Sequence, residues 1–376
     1  MMAEITVRSA KQIFFGSGTR HELGEHAAQF GDRALIVCGR TALRESGALD
    51  ELSDSLEGAG VSVSVFDEVE PEPSLATVEA GRAAARDGDC GVVIAAGGGS
   101  ALDVGKAVAG LADDPEPVQH GREVSGIGRP CIAMPTTSGT GAEVTPNCVL
   151  TNTETGEKAS IRGHGLLPEI AIVDPELTLS CPPGVTAHSG LDALTQAIEA
   201  FVSTGSNTIS APMAEEGTRR IAGSLRQAVS DGSNLQARED MALGSLMAGL
   251  ALASARLGLV HGLAHPLGSL YHLPHGRVCG ALLPMVVRFN LEAAKAQYAY
   301  LARAIGVGES ERDLYHWAAR LVGDLNADVD WAEAGLARAD FDEIIPPALE
   351  SGSTAHNPRA VTEEDLRGLL EELIAS

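Results

Sequence analysis

Residues 1–176 alternate short apolar, β-branched runs with segments of helical period, and this alternation restricts the chain more than any other feature. Ala34–Cys38, Val61–Phe66, Gly91–Ala96 and Cys131–Met134 read as strands. A helical pattern begins near Thr41, and another runs from an N-cap at Ser74 to about Arg86. Repeated strand–helix units require a parallel sheet with helices on its faces, and strands buried on both sides should be continuously apolar, as most of these are. Two shorter β-like runs follow at Cys148–Thr151 and Lys158–Ile161, and Ala171–Val173 with Asp174-Pro175 closes this half. From about Pro182 the strand signals stop. Leu191–Phe201, Met213–Val229, Glu239–Leu252 and Thr362–Ala375 carry a 3.6-residue period. The expected architecture is an α/β N-terminal dinucleotide-binding domain over 1–180 and an all-α C-terminal domain over 181–376. The boundary falls near Cys181-Pro182-Pro183-Gly184, and a ligand cleft is expected between the two domains.

Charge and cysteine usage narrow the class. Acidic residues outnumber basic ones 51 to 27, a formal charge of -24, which argues against nucleic acid as a partner because phosphates need a basic face. The six cysteines are dispersed, with no C-x-x-C pair, as buried reduced thiols are. No apolar run is long enough to span a bilayer, and residues 1–11 lack the apolar centre of a signal peptide. A cytoplasmic protein with no membrane partner is expected.

Two loops suit a nucleotide. Gly91–Ala96 runs into Gly97-Gly98-Gly99-Ser100-Ala101-Leu102-Asp103, where glycines after a strand and before a helix let backbone N–H groups close on an anion. The pattern is neither G-x-G-x-x-G nor a Walker A loop, so neither an ordinary Rossmann domain nor a P-loop NTPase is required. Cys131–Met134 leads into Pro135-Thr136-Thr137-Ser138-Gly139-Thr140-Gly141, whose hydroxyls at a strand end suit a ribose and phosphate, although an ordinary polar turn has the same composition.

A second constellation lies in the helical half. His261, His265 and His275 sit within an otherwise apolar stretch. A single histidine there would read as a core residue with a hydrogen-bond partner, whereas three together point to metal or proton chemistry. His261 and His265, at i and i+4, share a helix face, and His275 follows Pro274 at the expected start of another helix. Upstream, Asp192 and Gln196 also share a face. Asp192 is either the N-cap of its helix or a carboxylate ligand, and one carboxylate with two imidazoles would leave a metal open to substrate.

With these blocks in view, the chain resembles the iron-containing (group III) alcohol dehydrogenases. The resemblance rests on Gly97-Gly98-Gly99-Ser100 with Asp103 and Lys106, Pro135–Thr140, Gly190-Leu191-Asp192-Ala193-Leu194, His261-Gly262-Leu263-Ala264-His265-Pro266 and Pro274-His275-Gly276, in family order over most of residues 10–290. It implies the dehydroquinate-synthase-like architecture, NAD(P)-linked interconversion of a small alcohol with its aldehyde or ketone, and a divalent metal, Fe2+ or Zn2+. By position, Asp192, His261 and His275 match metal ligands, and His265 matches a proton-transfer histidine, not a ligand. Gly97, Gly98, Ser100 and Asp103 match the cofactor loop. Thr136, Thr137 and Lys158 match residues lining the nucleotide, to which the hydroxyl of Thr140 is added. The resemblance also makes a homodimer the expected assembly.

Two departures stand out. Gln196 occupies the place of a fourth family ligand, a histidine, and a neutral amide oxygen holds a metal more weakly than imidazole. Iron should be held less well. Zinc, as in the related glycerol dehydrogenases, remains reasonable, and a metal-free reductase is the alternative. After the first nucleotide strand, Gly39-Arg40-Thr41 replaces the acidic residue of NAD-preferring members, which favours NADP over NAD because arginine pairs with a 2′-phosphate. The rival readings are a dehydroquinate-synthase-like lyase, for which Arg256 is the main cation on offer, and a degenerate nucleotide-binding member of the family.

Overall fold

The computed structural model describes residues 5–126 and 128–375, which fall into two compact units. The first comprises Val7–Cys181 together with Gly232–Ala242. In chain order its strands are β1 (Gln12–Phe15), β2 (Arg33–Gly39), β3 (Ser62–Val69), β4 (Val92–Gly97), β5 (Cys131–Pro135), β6 (Asn147–Thr151), β7 (Lys158–Arg162) and β8 (Ile170–Val173). Its helices include α1 (Leu23–Ala27), α2 (Ala42–Glu45), α3 (Ala48–Gly58), α4 (Leu75–Asp87) and α5 (Gly99–Leu111). Six strands form a parallel sheet in the order β1-β8-β5-β4-β2-β3, while β6 and β7 make a separate antiparallel hairpin.

The period of two within each buried strand supplies both cores. Leu35 and Val37 of β2, with Val93 and Ala95 of β4, pack into one cluster that includes residues of α4 and α5. Their neighbours Ala34, Ile36 and Cys38, with Val92, Ile94 and Ala96, pack into the other, with residues of α1 and α3. Gly105 lets α5 lie flat on β4, because a Cβ there would stand 2.3 Å from that of Ala95. All six cysteines are free thiols, as their dispersal implied. The strand β1 was not evident from sequence. It is short, half-exposed and paired only with β8, so no continuous apolar run marks it.

The sheet order contains one topological switch. Moving along the chain, β3 adds on one side of β2 and β4 on the other, so β2 and β4 are neighbours whose outgoing connections diverge. Open α/β sheets bind ligands at this switch, beyond the carboxyl ends of the strands. Those ends are Gly39 and Gly97.

The second unit contains Pro182–Asp231 and the chain from Leu243 onward. Its helices are α6 (Pro183–Val202), α7 (Ser210–Ser230), the later part of α8 (Leu235–Ala255), α9 (Leu259–Tyr271), α10 (His275–Phe289), α11 (Lys295–Ala304), α12 (Glu311–Asp324), α13 (Phe341–Glu350) and α14 (Glu363–Ala375). The first of these begins well before Leu191, with Pro182 as N-cap and Pro183 in its first turn, so Asp192 is an interior helical residue and not an N-cap. Every residue from Gly190 to Ala200 is buried. α10 lies close against α6 at Gly276 and Gly280. A Cβ on Gly276 would meet the His188 carbonyl oxygen at 2.2 Å, and one on Gly280 would meet Leu191 Cδ1 at 2.7 Å. Among the described residues no single helix is long and apolar enough to cross a membrane.

Candidate functional site

The close packing of α6, α9 and α10 gathers four donors. Asp192 comes from the buried middle of α6, His261 from the first turn of α9, and His275 and Cys279 from the start of α10. Their ligand atoms lie within 4.8 Å of one another. His261 Nε2 stands 3.2 Å from Asp192 Oδ1, and His275 Nε2 stands 3.9 Å from the same oxygen. The thiol sulfur of Cys279 is 3.5 Å from His275 Nε2 and 3.9 Å from His261 Nε2.

A second carboxylate orients the cluster. Glu199 Oε2 lies 2.6 Å from His261 Nδ1, and Oε1 accepts the backbone N–H of Val260 at 2.7 Å. A carboxylate only accepts, so Nδ1 carries a proton toward Glu199, and Nε2 is the nitrogen that faces Asp192, His275 and Cys279, where an ion would replace its proton. Glu199 also satisfies one of the free N–H groups at the start of α9. It shares a face of α6 with Asp192 and Gln196 at i, i+4 and i+7, a spacing readable in the sequence but not used there.

The electrostatics favour positive charge at the centre. Burial opposes protonation of His261, but Cys279, Glu199 and Asp192 outweigh it and hold the imidazole well above its ordinary range. Burial by itself would raise Asp192, whereas His261, His275 and the Gln196 amide hold its carboxyl below the usual value. Burial pushes the Cys279 thiol up to about 12. The side-chain oxygen Oε1 of Gln196 is buried without a hydrogen-bond partner. One carboxylate, two imidazoles and a thiol form a donor set that fits a divalent cation.

His265 does not belong to the donor set. Its ring stacks on His275 with centroids 5.0 Å apart, beside the cluster instead of within it. The i, i+4 pair His261/His265 thus divides, one imidazole facing the other donors and one flanking them. Arg256, the cation weighed for an anionic substrate, is exposed and left-handed at φ 66°.

In the first unit the glycine loop opens as expected. Gly97 has φ 145°, Gly98 caps α5, and a Cβ on Gly99 would meet Thr140 Cγ2 at 2.7 Å, so the 97–100 and 136–140 loops touch. Thr136 and Thr137 are half-buried, Thr140 is exposed, and Ser100 stands half-buried in the first turn of α5. Asp103 is engaged internally. It accepts the Val149 N–H at 2.8 Å and pairs with buried Lys106 at 3.2 Å, tying α5 to the β6–β7 hairpin. Lys158 pairs with Glu72 at 2.7 Å. Arg40 and Thr41 are exposed just past Gly39.

Comparison with known proteins decides the family. The family model "Iron-containing alcohol dehydrogenase" matches residues 10–175, and its companion "Fe-containing alcohol dehydrogenase family, C-terminal" matches 186–374. The chain belongs to the iron-containing alcohol dehydrogenase family. It is therefore an oxidoreductase of the alcohol dehydrogenase class. The chain is 38% identical to the 1,3-propanediol dehydrogenase of Klebsiella pneumoniae, covering 96% of each. It is 34% identical to the lactaldehyde reductase of Escherichia coli K12, covering 94% of this chain and 95% of that one. The solved alcohol dehydrogenase of Oenococcus oeni superposes with a TM-score of 0.94 at 33% identity, over 98% of this chain and 100% of that one. Cys279, among the candidate donors, is a residue that the sequence reading missed. The signal was present, since His275 and Cys279 are themselves an i, i+4 pair.

Proposed function

We propose that this alcohol dehydrogenase interconverts a small alcohol with its aldehyde or ketone by hydride exchange with a nicotinamide dinucleotide, at a divalent ion of the Fe2+ or Zn2+ type. Asp192, His261 and His275 would hold that ion, with the Gln196 amide beside them. Bound there, the ion would supply Lewis-acid polarisation of the substrate oxygen, and the nicotinamide would supply the hydride. The chain's own residues do the rest. Glu199 fixes the tautomer of His261, and His265, stacked on His275, moves the proton to or from the reacting oxygen. The loop Gly97-Gly98-Ser100 and the N-terminus of α5 receive the pyrophosphate, while Thr136, Thr137, Thr140 and Lys158 line the ribose side. Asp103 braces this loop through Val149 and Lys106. NADP is the favoured dinucleotide, because β2 ends in Gly39 without an acid and Arg40 follows it, exposed.

The observation that carries this reading is the meeting of Asp192, His261 and His275 from three helices. The test is metal analysis of purified protein combined with a screen of NADPH and NADH oxidation over aldehydes and ketones. One divalent ion per chain and turnover with small carbonyls are expected. Protein that binds no ion at any supply, yet turns substrate over, would leave a metal-free reductase in its place.

A further inference from the structure

Cys279 is fully buried, and the proposed function gives it no role. It lies one helical turn after His275 on the same face of α10, and its sulfur is directed at both imidazoles. Gly280 and Gly276 bring this turn of α10 against α6, where Asp192 lies. Tetrahedral zinc with ordinary bond lengths spaces its nitrogen and oxygen ligands about 3.3 Å apart and its nitrogen and sulfur ligands about 3.6 Å apart. Four separations in the cluster, from 3.2 to 3.9 Å, bracket those edges.

Resting on the reading that Asp192, His261 and His275 hold a divalent ion, we propose that Cys279 is the fourth protein donor, as a thiolate. The chain lacks the fourth histidine of its relatives and offers Gln196 in its place. A neutral amide oxygen is the weaker ligand; the NH2 of Gln196 bears on Asp192 and its Oε1 stays without a hydrogen-bond partner. A thiolate is a stronger ligand for zinc and cobalt than an amide and shifts selectivity away from hard, oxygen-preferring ions. On this assignment α6 offers an amide at 196 where the family resemblance implies an imidazole, and α10 supplies a sulfur.

Cobalt(II) reports the sulfur directly, because a thiolate ligand gives a near-ultraviolet charge-transfer band that nitrogen and oxygen ligands do not. The full chain is stripped with chelator and titrated with cobalt alone. The expected result is a charge-transfer band saturating at one cobalt per chain, lost in Cys279→Ser and kept in Gln196→Ala. A tenfold or greater loss of zinc affinity is expected in Cys279→Ser and a smaller loss in Gln196→Ala. If cobalt binds one per chain and is lost in His261→Ala, but no charge-transfer band appears, Cys279 is not a ligand and the three-donor centre stands. If no cobalt binds at all, the centre itself is refuted. Should Cys279→Ser not fold, X-ray absorption at the zinc edge of the wild-type protein counts the sulfur: one supports the assignment, and none overturns it.

Discussion

Glu199 Oε2 stands 2.6 Å from His261 Nδ1, and the same carboxylate accepts the Val260 N–H that begins the histidine helix. One buried side chain therefore fixes both the tautomer of a candidate ligand and the start of the helix that carries it. Outer carboxylates of this kind typically contribute tenfold to a hundredfold in metal affinity. Glu199→Gln keeps the volume and removes the charge. It is expected to weaken zinc binding by that factor with little change in secondary structure, read by chelator competition and circular dichroism. Unchanged affinity would show that His261 needs no such support.

The roles proposed for His261 and His265 separate binding from proton transfer. His261→Ala is expected to lose ion and activity together. His265→Ala should retain the ion at one per chain and lose turnover by about a hundredfold or more, the usual scale of a positioned acid–base group. Metal content and kcat measured side by side decide it, and a His265→Ala protein stripped of metal would reverse the two roles.

Cofactor choice should follow Arg40. The nearby Arg44 is taken by Asp67 at 2.6 Å, while Arg40 is exposed immediately beyond β2. Arg40→Ala is expected to lower kcat/KM for NADPH by tenfold or more and leave NADH nearly unchanged. A wild-type enzyme that strongly prefers NADH would end the assignment.

A buried acid in the first unit gives a pH signature. Glu143 is 3% exposed, and burial pushes its carboxyl from 4.5 up to about 7, with its own backbone N–H and Lys106 opposing the shift only in part. The folded chain holds this proton more tightly than the unfolded chain. Its contribution to stability is thus full below about pH 4.5, declines as pH rises toward 7 and is gone above that, a change of about 3 kcal/mol in the limit. Glu143→Gln is expected to remove this slope. Urea midpoints of both proteins at pH 5 and pH 8 check it, since their difference cancels the self-repulsion of an acidic surface.

Much of the architecture was legible because its physical causes are local. β2, β4 and β5 are buried on both faces, which forces continuous apolar runs, and Ser74 caps α4 by accepting the Thr77 N–H as a serine at that place should. β1 was not legible, since an edge strand needs neither apolar continuity nor alternation. Nor were α11, α12 and α13 singled out among the helices. Asp192 looked like a helix start because the polar Ser189-Gly190 precedes it, yet Pro182 and Pro183 had already begun the helix. At the site, the residues inside the family blocks were visible, and Glu199 and Cys279, outside those blocks, were not. Glu199 and Cys279 act through contacts between α6, α9 and α10, and their helical spacing alone did not distinguish them from core residues.

The inclusion of Gly232–Ala242 in the first unit has a consequence for biogenesis. Arg238, almost wholly buried, donates to the carbonyl oxygens of Gly232 and Cys181, so the end of the sheet-bearing segment is sealed by a residue synthesised well after it. As the nascent chain leaves the ribosome, the first unit cannot make these Arg238 contacts at its apparent end. It waits with an open seam while two long helices of the other half emerge, and a fragment cut at 181 would keep that seam for good.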